Sequence, residues 1–290
     1  MLNRLDKIAK DTNLYLSRFI KRQKKSELMR AMQYGLFSRG KKIRSKVLID
    51  IASLFKINYR QMIIIGSAVE CIHSYSLIHD DLPCMDDDII RRGKPSTHVR
   101  FGESTAILAG NSLLTMAFEI LSHKDLAVSE KTKINLINKI SECSGHLGVA
   151  GGQYLDLSFE HKKISKKKII EMEIKKTGKL FSFCCAAPLI IKNKNNKEIK
   201  KFENIGAEIG LLFQLADDLI DYKGSSIIAG KKTGKDKKKG KATLISLLGY
   251  ENTIKYANRL IIRINGKLKK YGSNSKHLSE TLEYILNRNK

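Results

Sequence analysis

Five aspartates, Asp80, Asp81, Asp86, Asp87 and Asp88, follow directly on a mostly apolar run that begins at Cys71, and Arg91 and Arg92 come a few positions later. Carboxylates crowded in this way repel one another unless a cation sits among them. Hard cations such as Mg²⁺ bind through one or two carboxylates plus substrate phosphates, and arginine forks match phosphate oxygens in pairs. The local chemistry therefore suggests a metal-bridged phosphate site.

An acidic run after a helix is ordinarily a solvated loop, and what argues otherwise here is a second cluster. Asp217, Asp218 and Asp221 stand inside a strongly apolar helical stretch whose periodic face is marked by Ile205, Ile209, Leu212, Ala216 and Ile220. Asp217 and Asp221 are four apart, hence about 40° around a helix and about 6 Å along it, a spacing suited to ligands of one metal group. Acids on an apolar helix are costly unless paired or metal-bound. The first cluster has a different geometry. Asp80 and Asp86, six apart, would lie about 240° around a regular helix. Pro83 between them predicts that the helix ends there and that the chain brings Asp86 back toward Asp80 and Asp81.

Apolar positions recur at spacings of three and four over most of the 290 residues, and hairpin signals are nearly absent, which predicts an all-α protein. With three prolines and no Pro/Gly/Ser-rich linker, one domain over 1–290 is expected. The net charge of +25 raises the question of nucleic acid, but the lysines are spread over many segments and the run from Lys231 to Lys241 is interleaved with glycine rather than aromatics. We expect no specific nucleic-acid partner, only a field that attracts anionic substrates. The five cysteines lack metal-ligand spacing and read as core residues of a reducing cytoplasm. The N-terminus carries charge from Arg4 onward, and the uncharged runs Ser104 to Phe118 and Leu180 to Ile191 are too short to cross a bilayer, so a protein that is not integral to a membrane is expected.

Around these clusters the chain offers further candidates. Lys41 and Arg44, three apart at a helix junction near Gly40, share a face and could grip a diphosphate. His73 lies seven before Asp80, on nearly the same face of a helix that is apolar all round from about Gln61 to Leu82. Tyr75 lies about 7.5 Å along that helix from Asp80, where it could floor an apolar cavity. Gly151 and Gly152 are expected to interrupt the helical run, and Gly178 to kink a helix from about Ser165 to Ala187 so that Lys176 and Thr177 are freed.

Together these pieces resemble the trans-polyprenyl diphosphate synthases, in their short-chain, farnesyl-forming bacterial pattern. The resemblance runs from Gly40-Lys-Lys-Ile-Arg44 to the terminal Tyr284-Ile-Leu-Asn-Arg-Asn-Lys290 and rests above all on Asp80-Asp-Leu-Pro-Cys-Met-Asp86 with Arg91-Arg92, and on Gln214 with Asp217-Asp-Leu-Ile-Asp221. It implies an isoprenoid synthase-like bundle of ten or more helices around a central cavity, usually homodimeric. It implies that Asp80, Asp81 and Asp86, with Asp217, Asp218 and Asp221, hold Mg²⁺, three ions by family expectation, on an allylic diphosphate. Arg91, Lys176, Lys231 and Lys241 would contact that diphosphate, Lys41, Arg44, His73 and Arg92 would hold isopentenyl diphosphate, and Thr177 and Gln214 would stand near the allylic cation. Tyr75, five before Asp80, with Ser76 beside it, resembles the chain-length position of the farnesyl pattern. The implied activity is condensation of isopentenyl diphosphate with dimethylallyl and then geranyl diphosphate to farnesyl diphosphate. Geranylgeranyl diphosphate synthesis is the near alternative; a terpene cyclase would have no use for an isopentenyl site. Ser45 stands where the family commonly has proline, Asn111 where aspartate is frequent, and Ile89 shortens the acidic run.

Overall fold

The computed structural model describes residues 1–38, 40–227 and 243–288. Among them the chain is all-α apart from a two-residue antiparallel hairpin, β1 (Ile90–Arg91) with β2 (Lys94–Pro95). The helices run α1 (Leu2–Ile20), α2 (Glu27–Leu36), α3 (Ile43–Leu54), α4 (Tyr59–Asp80), α5 (Thr97–Phe101), α6 (Glu103–Ser122), α7 (Glu130–Ser144), α8 (Val149–Ser158) and α9 (Lys166–Glu173). A π-helical turn (Ile174–Gly178) leads into α10 (Lys179–Ile191), followed by α11 (Asn196–Ile227), α12 (Leu244–Leu248), α13 (Tyr250–Leu268), a 3₁₀ segment (Lys269–Ser275) and α14 (Lys276–Asn287).

These residues group into two compact units, one comprising Met1–Lys139 and Ala187–Asn193, the other Ile140–Ala186 and Lys194–Lys290. In the first, α4 is the core. Its apolar residues cover every face, and Met62, Ile65, Val69, Cys71 and Ile72 are all essentially inaccessible, as a helix packed on all sides requires. Helices α1, α2, α3 and α6 surround it. Asn58 fixes where α4 begins, its Oδ1 accepting from the Arg60 amide at 2.9 Å. Helices α4 and α6 are long and apolar enough to cross a bilayer by length and composition. The apolar window of α4 is 78% buried inside the unit, and that of α6 only 44%.

In the second unit α11 takes the central place, burying Ile205, Ile209, Leu212, Leu215 and Ala216. Glycines set how closely its neighbours approach. A Cβ at Gly210 would stand 2.3 Å from the Gly178 Cα, and one at Gly152 would stand 2.1 Å from the Lys176 amide nitrogen. The expected interruption at Gly151 and Gly152 is therefore not found. Helix α8 runs through both, because Gly152 is needed for backbone contact with the π turn rather than for a break. At Gly178 the irregularity expected within the helix takes the form of a π turn. The chain widens into a π turn over Ile174–Gly178 and continues directly as α10, a feature that recurs at functional sites.

Candidate active site

Helix α4 stops at Asp80, and the loop beyond it closes on the helix end. The Asp86 amide donates to the Asp80 carbonyl at 2.8 Å, the Asp88 amide to the Asp81 carbonyl at 3.2 Å, and the Met85 and Asp87 amides to the Leu82 carbonyl. Asp86 is thus returned beside Asp80, as Pro83 led us to expect. Within the cluster the acids divide. Asp80 and Asp86 keep partial access to solvent, whereas Asp81 is buried and its Oδ1 accepts from the Arg91 Nε at 2.9 Å and from a second Arg91 nitrogen. Burial alone would lower the Arg91 pKa, but its bond to Asp81 and the fields of Asp81, Asp88 and Asp80 hold it above its usual value.

The hairpin aims the two arginines. Arg92 and Gly93, its two turn residues, both have positive φ, 53° and 77°, as a tight hairpin turn of the primed type demands. Arg92 then reaches the loop before α3, its Nη1 donating to the Ser38 carbonyl at 3.3 Å and hydroxyl at 3.1 Å. Around His73 the fields of Arg44, Arg92, Lys42 and Arg91 converge. Burial, the largest cause, and these four cations push its imidazole well below the usual range. Lys41 is exposed, while Lys42, which the sequence did not single out, turns inward with φ 51°. Its ammonium lies 3.6 Å from Glu70 Oε2, and Glu70 Oε1 accepts from the Ser45 hydroxyl at 2.9 Å. Ser45 thus anchors a buried carboxylate beneath the basic segment.

His73 gives a testable pH dependence. Because its folded pKa is depressed, the unfolded chain binds the proton first, so stability falls as pH drops below the unfolded value of about 6.5, by up to about 1.4 kcal/mol per pH unit for one such group. Urea midpoints at pH 7.5 and 5.5 are expected to differ less in His73→Gln than in the parent. An equal difference in both would assign the acid sensitivity elsewhere.

In the second unit the π turn sets Thr177 against α11. Thr177 Oγ1 donates to Gln214 Oε1 at 3.2 Å, and Gln214 Nε2 donates to Asp218 Oδ1 at 3.0 Å. Lys176 Nζ donates to Asp156 Oδ2 at 2.6 Å. Asp218 is buried, while Asp217 and Asp221 keep access to solvent. Nearby Glu173 is 3% exposed and its Oε2 has no hydrogen-bond partner. Burial first, then the fields of Asp218 and Asp156, push its carboxyl well above the usual range. At Asp217, Arg288 stacks 3.8 Å from the centre of the Phe213 ring and its Nη2 donates to Asp217 Oδ1 at 2.6 Å. Sequence reasoning gave no role to Lys42, Glu70, Asp156, Glu173 or Arg288. All five are single charges without a spacing signal.

Among the candidates, Arg44, His73, Arg91 and Arg92 are brought to one place, beside Asp80, Asp81 and Asp86, and Lys176, Thr177 and Gln214 lie in the unit that carries Asp217, Asp218 and Asp221. Tyr75 is 9% exposed on α4, and the Ser76 hydroxyl donates to the His73 carbonyl. Lys231 and Lys241 lie outside the described residues. The donor sets of both clusters are wholly oxygen, which suits a hard cation. Among the described residues no group of three or more acidic, histidine or cysteine side chains is arranged to hold a metal ion by itself.

Residues 25–285 match the family model described as polyprenyl synthetase. The chain is 38% identical over 293 residues to farnesyl diphosphate synthase of Escherichia coli, covering 99% of this chain and 98% of that one. It is likewise 38% identical to geranylgeranyl pyrophosphate synthase 4 of Arabidopsis thaliana, over 90% of this chain and 70% of the relative. The crystal structure of an FPP/GFPP synthase from Zymomonas mobilis superposes with a TM-score of 0.87 at 33% identity, covering 98% of each chain. A geranyltransferase from Helicobacter pylori complexed with magnesium and isoprenyl diphosphate superposes with a TM-score of 0.80 at 29% identity, over 99% of this chain and 96% of that one.

Proposed function

We propose, for a chain that belongs to the polyprenyl synthetase family, that it condenses isopentenyl diphosphate with dimethylallyl and then geranyl diphosphate to give (2E,6E)-farnesyl diphosphate. It is a farnesyl-type prenyltransferase, the activity named for its bacterial relatives. The observation that carries the mechanism is the return of the Asp86 loop onto the end of α4, with Arg91 held by Asp81 and Arg92 beside it on the same hairpin.

In this mechanism Lys41, Arg44, His73 and Arg92 hold the diphosphate of isopentenyl diphosphate. Asp80, Asp81 and Asp86, and Asp217, Asp218 and Asp221, would hold magnesium, three ions by family expectation, while Asp81 also accepts from Arg91 and Asp218 from Gln214. Magnesium, when bound, neutralises the allylic diphosphate and makes it a competent leaving group. Arg91 and Lys176, held by Asp81 and Asp156, steady the departing oxygens; Lys231 and Lys241 are proposed for the same role. The Thr177 hydroxyl and the Gln214 carbonyl present fixed dipoles to the allylic cation. As the C–O bond of the allylic diphosphate breaks, the isopentenyl double bond forms the new C–C bond, and the released diphosphate takes the proton lost from the adduct. No protein base is needed for that last step. A cyclase would release hydrocarbon from farnesyl diphosphate alone; this protein is expected to release none, and any such product would overturn the condensation mechanism.

The family match spans both units as one stretch, which supports a single catalytic domain over 1–290. A cytoplasmic homodimer completes the proposal. Its support is the outer face of α6, where Ile107 and Leu108 are 41% and 54% exposed on a helix otherwise apolar enough to be buried. Leu108→Lys is expected to shift the sedimenting species from dimer to monomer; a parent protein that sediments as a monomer would remove the dimer from the account.

A further inference from the structure

The floor assigned to Tyr75 needs a wall behind it, because a ring that can swing aside limits nothing. On α4, His79 is four residues beyond Tyr75 and so lies over the same face. The two rings meet edge to face, with centroids 5.6 Å apart and planes at 87°. The His79 Nε2 is 3.1 Å from the Ile107 carbonyl of α6, an acceptor, so that nitrogen carries the proton. The ring lies directly on Gly110. A Cβ built there would stand 2.2 Å from His79 Nε2 and 2.4 Å from its Cδ2. Any residue other than glycine at 110 would have to push the imidazole off the α6 backbone and toward Tyr75.

We propose that His79 is a positioning residue for product length, and that Gly110 and the Ile107 carbonyl form the socket that holds it. The imidazole, fixed on one side by α6, presents its edge or face to Tyr75 and prevents that ring from tilting away as the prenyl chain grows. Three features act in series: a bare glycine lets the imidazole reach α6, the carbonyl locks its orientation, and the locked ring fixes the tyrosine. This deepens the functional reading above and rests on Tyr75 being the floor.

The experiment is product sizing by the purified full-length protein with dimethylallyl and isopentenyl diphosphates and Mg²⁺, comparing Tyr75→Ala, His79→Ala, His79→Phe and Gly110→Ala. His79→Ala and Gly110→Ala are each expected to raise the ratio of C20 to C15 product by about tenfold, the change that corresponds to losing one edge-to-face ring contact. His79→Phe keeps a ring edge for Tyr75 and is expected to stay nearer the parent ratio. Because C20 forms from C15 by one further condensation, a variant that is merely less stable lowers the ratio and cannot raise it. His79→Ala adds no atoms, so it remains informative if Gly110→Ala folds poorly. If Tyr75→Ala lengthens the product while His79→Ala and Gly110→Ala leave the ratio at the parent value, the brace is refuted and the floor stands. If Tyr75→Ala also fails to lengthen it, the floor is refuted and the brace with it.

Discussion

Asp80→Ala is expected to lower kcat by roughly 10³-fold, the several kcal/mol of charge stabilisation that a metal-held leaving group supplies, while leaving the melting temperature within a few degrees of the parent. The two expectations come from the same geometry. Asp80 closes α4 at a partly exposed position, so its carboxylate contributes little to the core, whereas its main-chain carbonyl receives the amide of the returned Asp86. Asp81→Ala behaves differently. Its carboxylate is 2% exposed and grips Arg91, so its removal takes the nearest acceptor from a guanidinium that is 31% exposed and costs some stability as well as rate. Steady-state kinetics beside thermal melts separate the two. A kcat within tenfold of the parent in Asp80→Ala would mean that this carboxylate holds no catalytic metal.

Tyr75→Ala is expected to convert the main product from C15 to longer chains. Replacing the phenol ring, now 9% exposed on α4, with a methyl group opens a space in the helix face where the ring stood. An apolar cavity of that kind stays dry and accepts an apolar ligand. A growing prenyl chain is such a ligand. The site of chemistry is untouched, so the rate of the first condensation should change little. Unchanged product length, measured by chromatography after dephosphorylation, would remove Tyr75 from the specificity assignment.

Much of this site could be read from sequence because its signals are local. Pro83 between Asp80 and Asp86 announced a chain reversal, and the amides of Asp86 and Asp88 do fold back onto the carbonyls of Asp80 and Asp81. The apolar run around the second cluster required a central helix, and α11 buries Ile205, Ile209, Leu212 and Ala216 of the face named for it, while Ile220 stays partly exposed. What the sequence hid were consequences of helix packing. Gly152 and Gly178 read as breaks because a glycine in a helix is locally unfavourable. Their role is to admit neighbouring backbone, which no one-dimensional pattern records. Lys41 and Lys42 are adjacent and chemically identical, and only the left-handed backbone at Lys42 turns that ammonium toward Glu70. Arg288 is far along the chain from Asp217, and nothing in their spacing predicts the ion pair. The division within each acidic cluster was hidden for the same reason. Which carboxylate faces inward depends on where Arg91 and Gln214 lie, and that is a property of the folded chain.

The central claim is that these residues ionise an allylic diphosphate and add isopentenyl diphosphate to it. Purified protein incubated with dimethylallyl and isopentenyl diphosphates should give farnesyl diphosphate when Mg²⁺ is present and essentially none when a chelator removes it. Absence of any prenyl product with Mg²⁺ and both substrates present, from protein shown to be folded, would contradict the account.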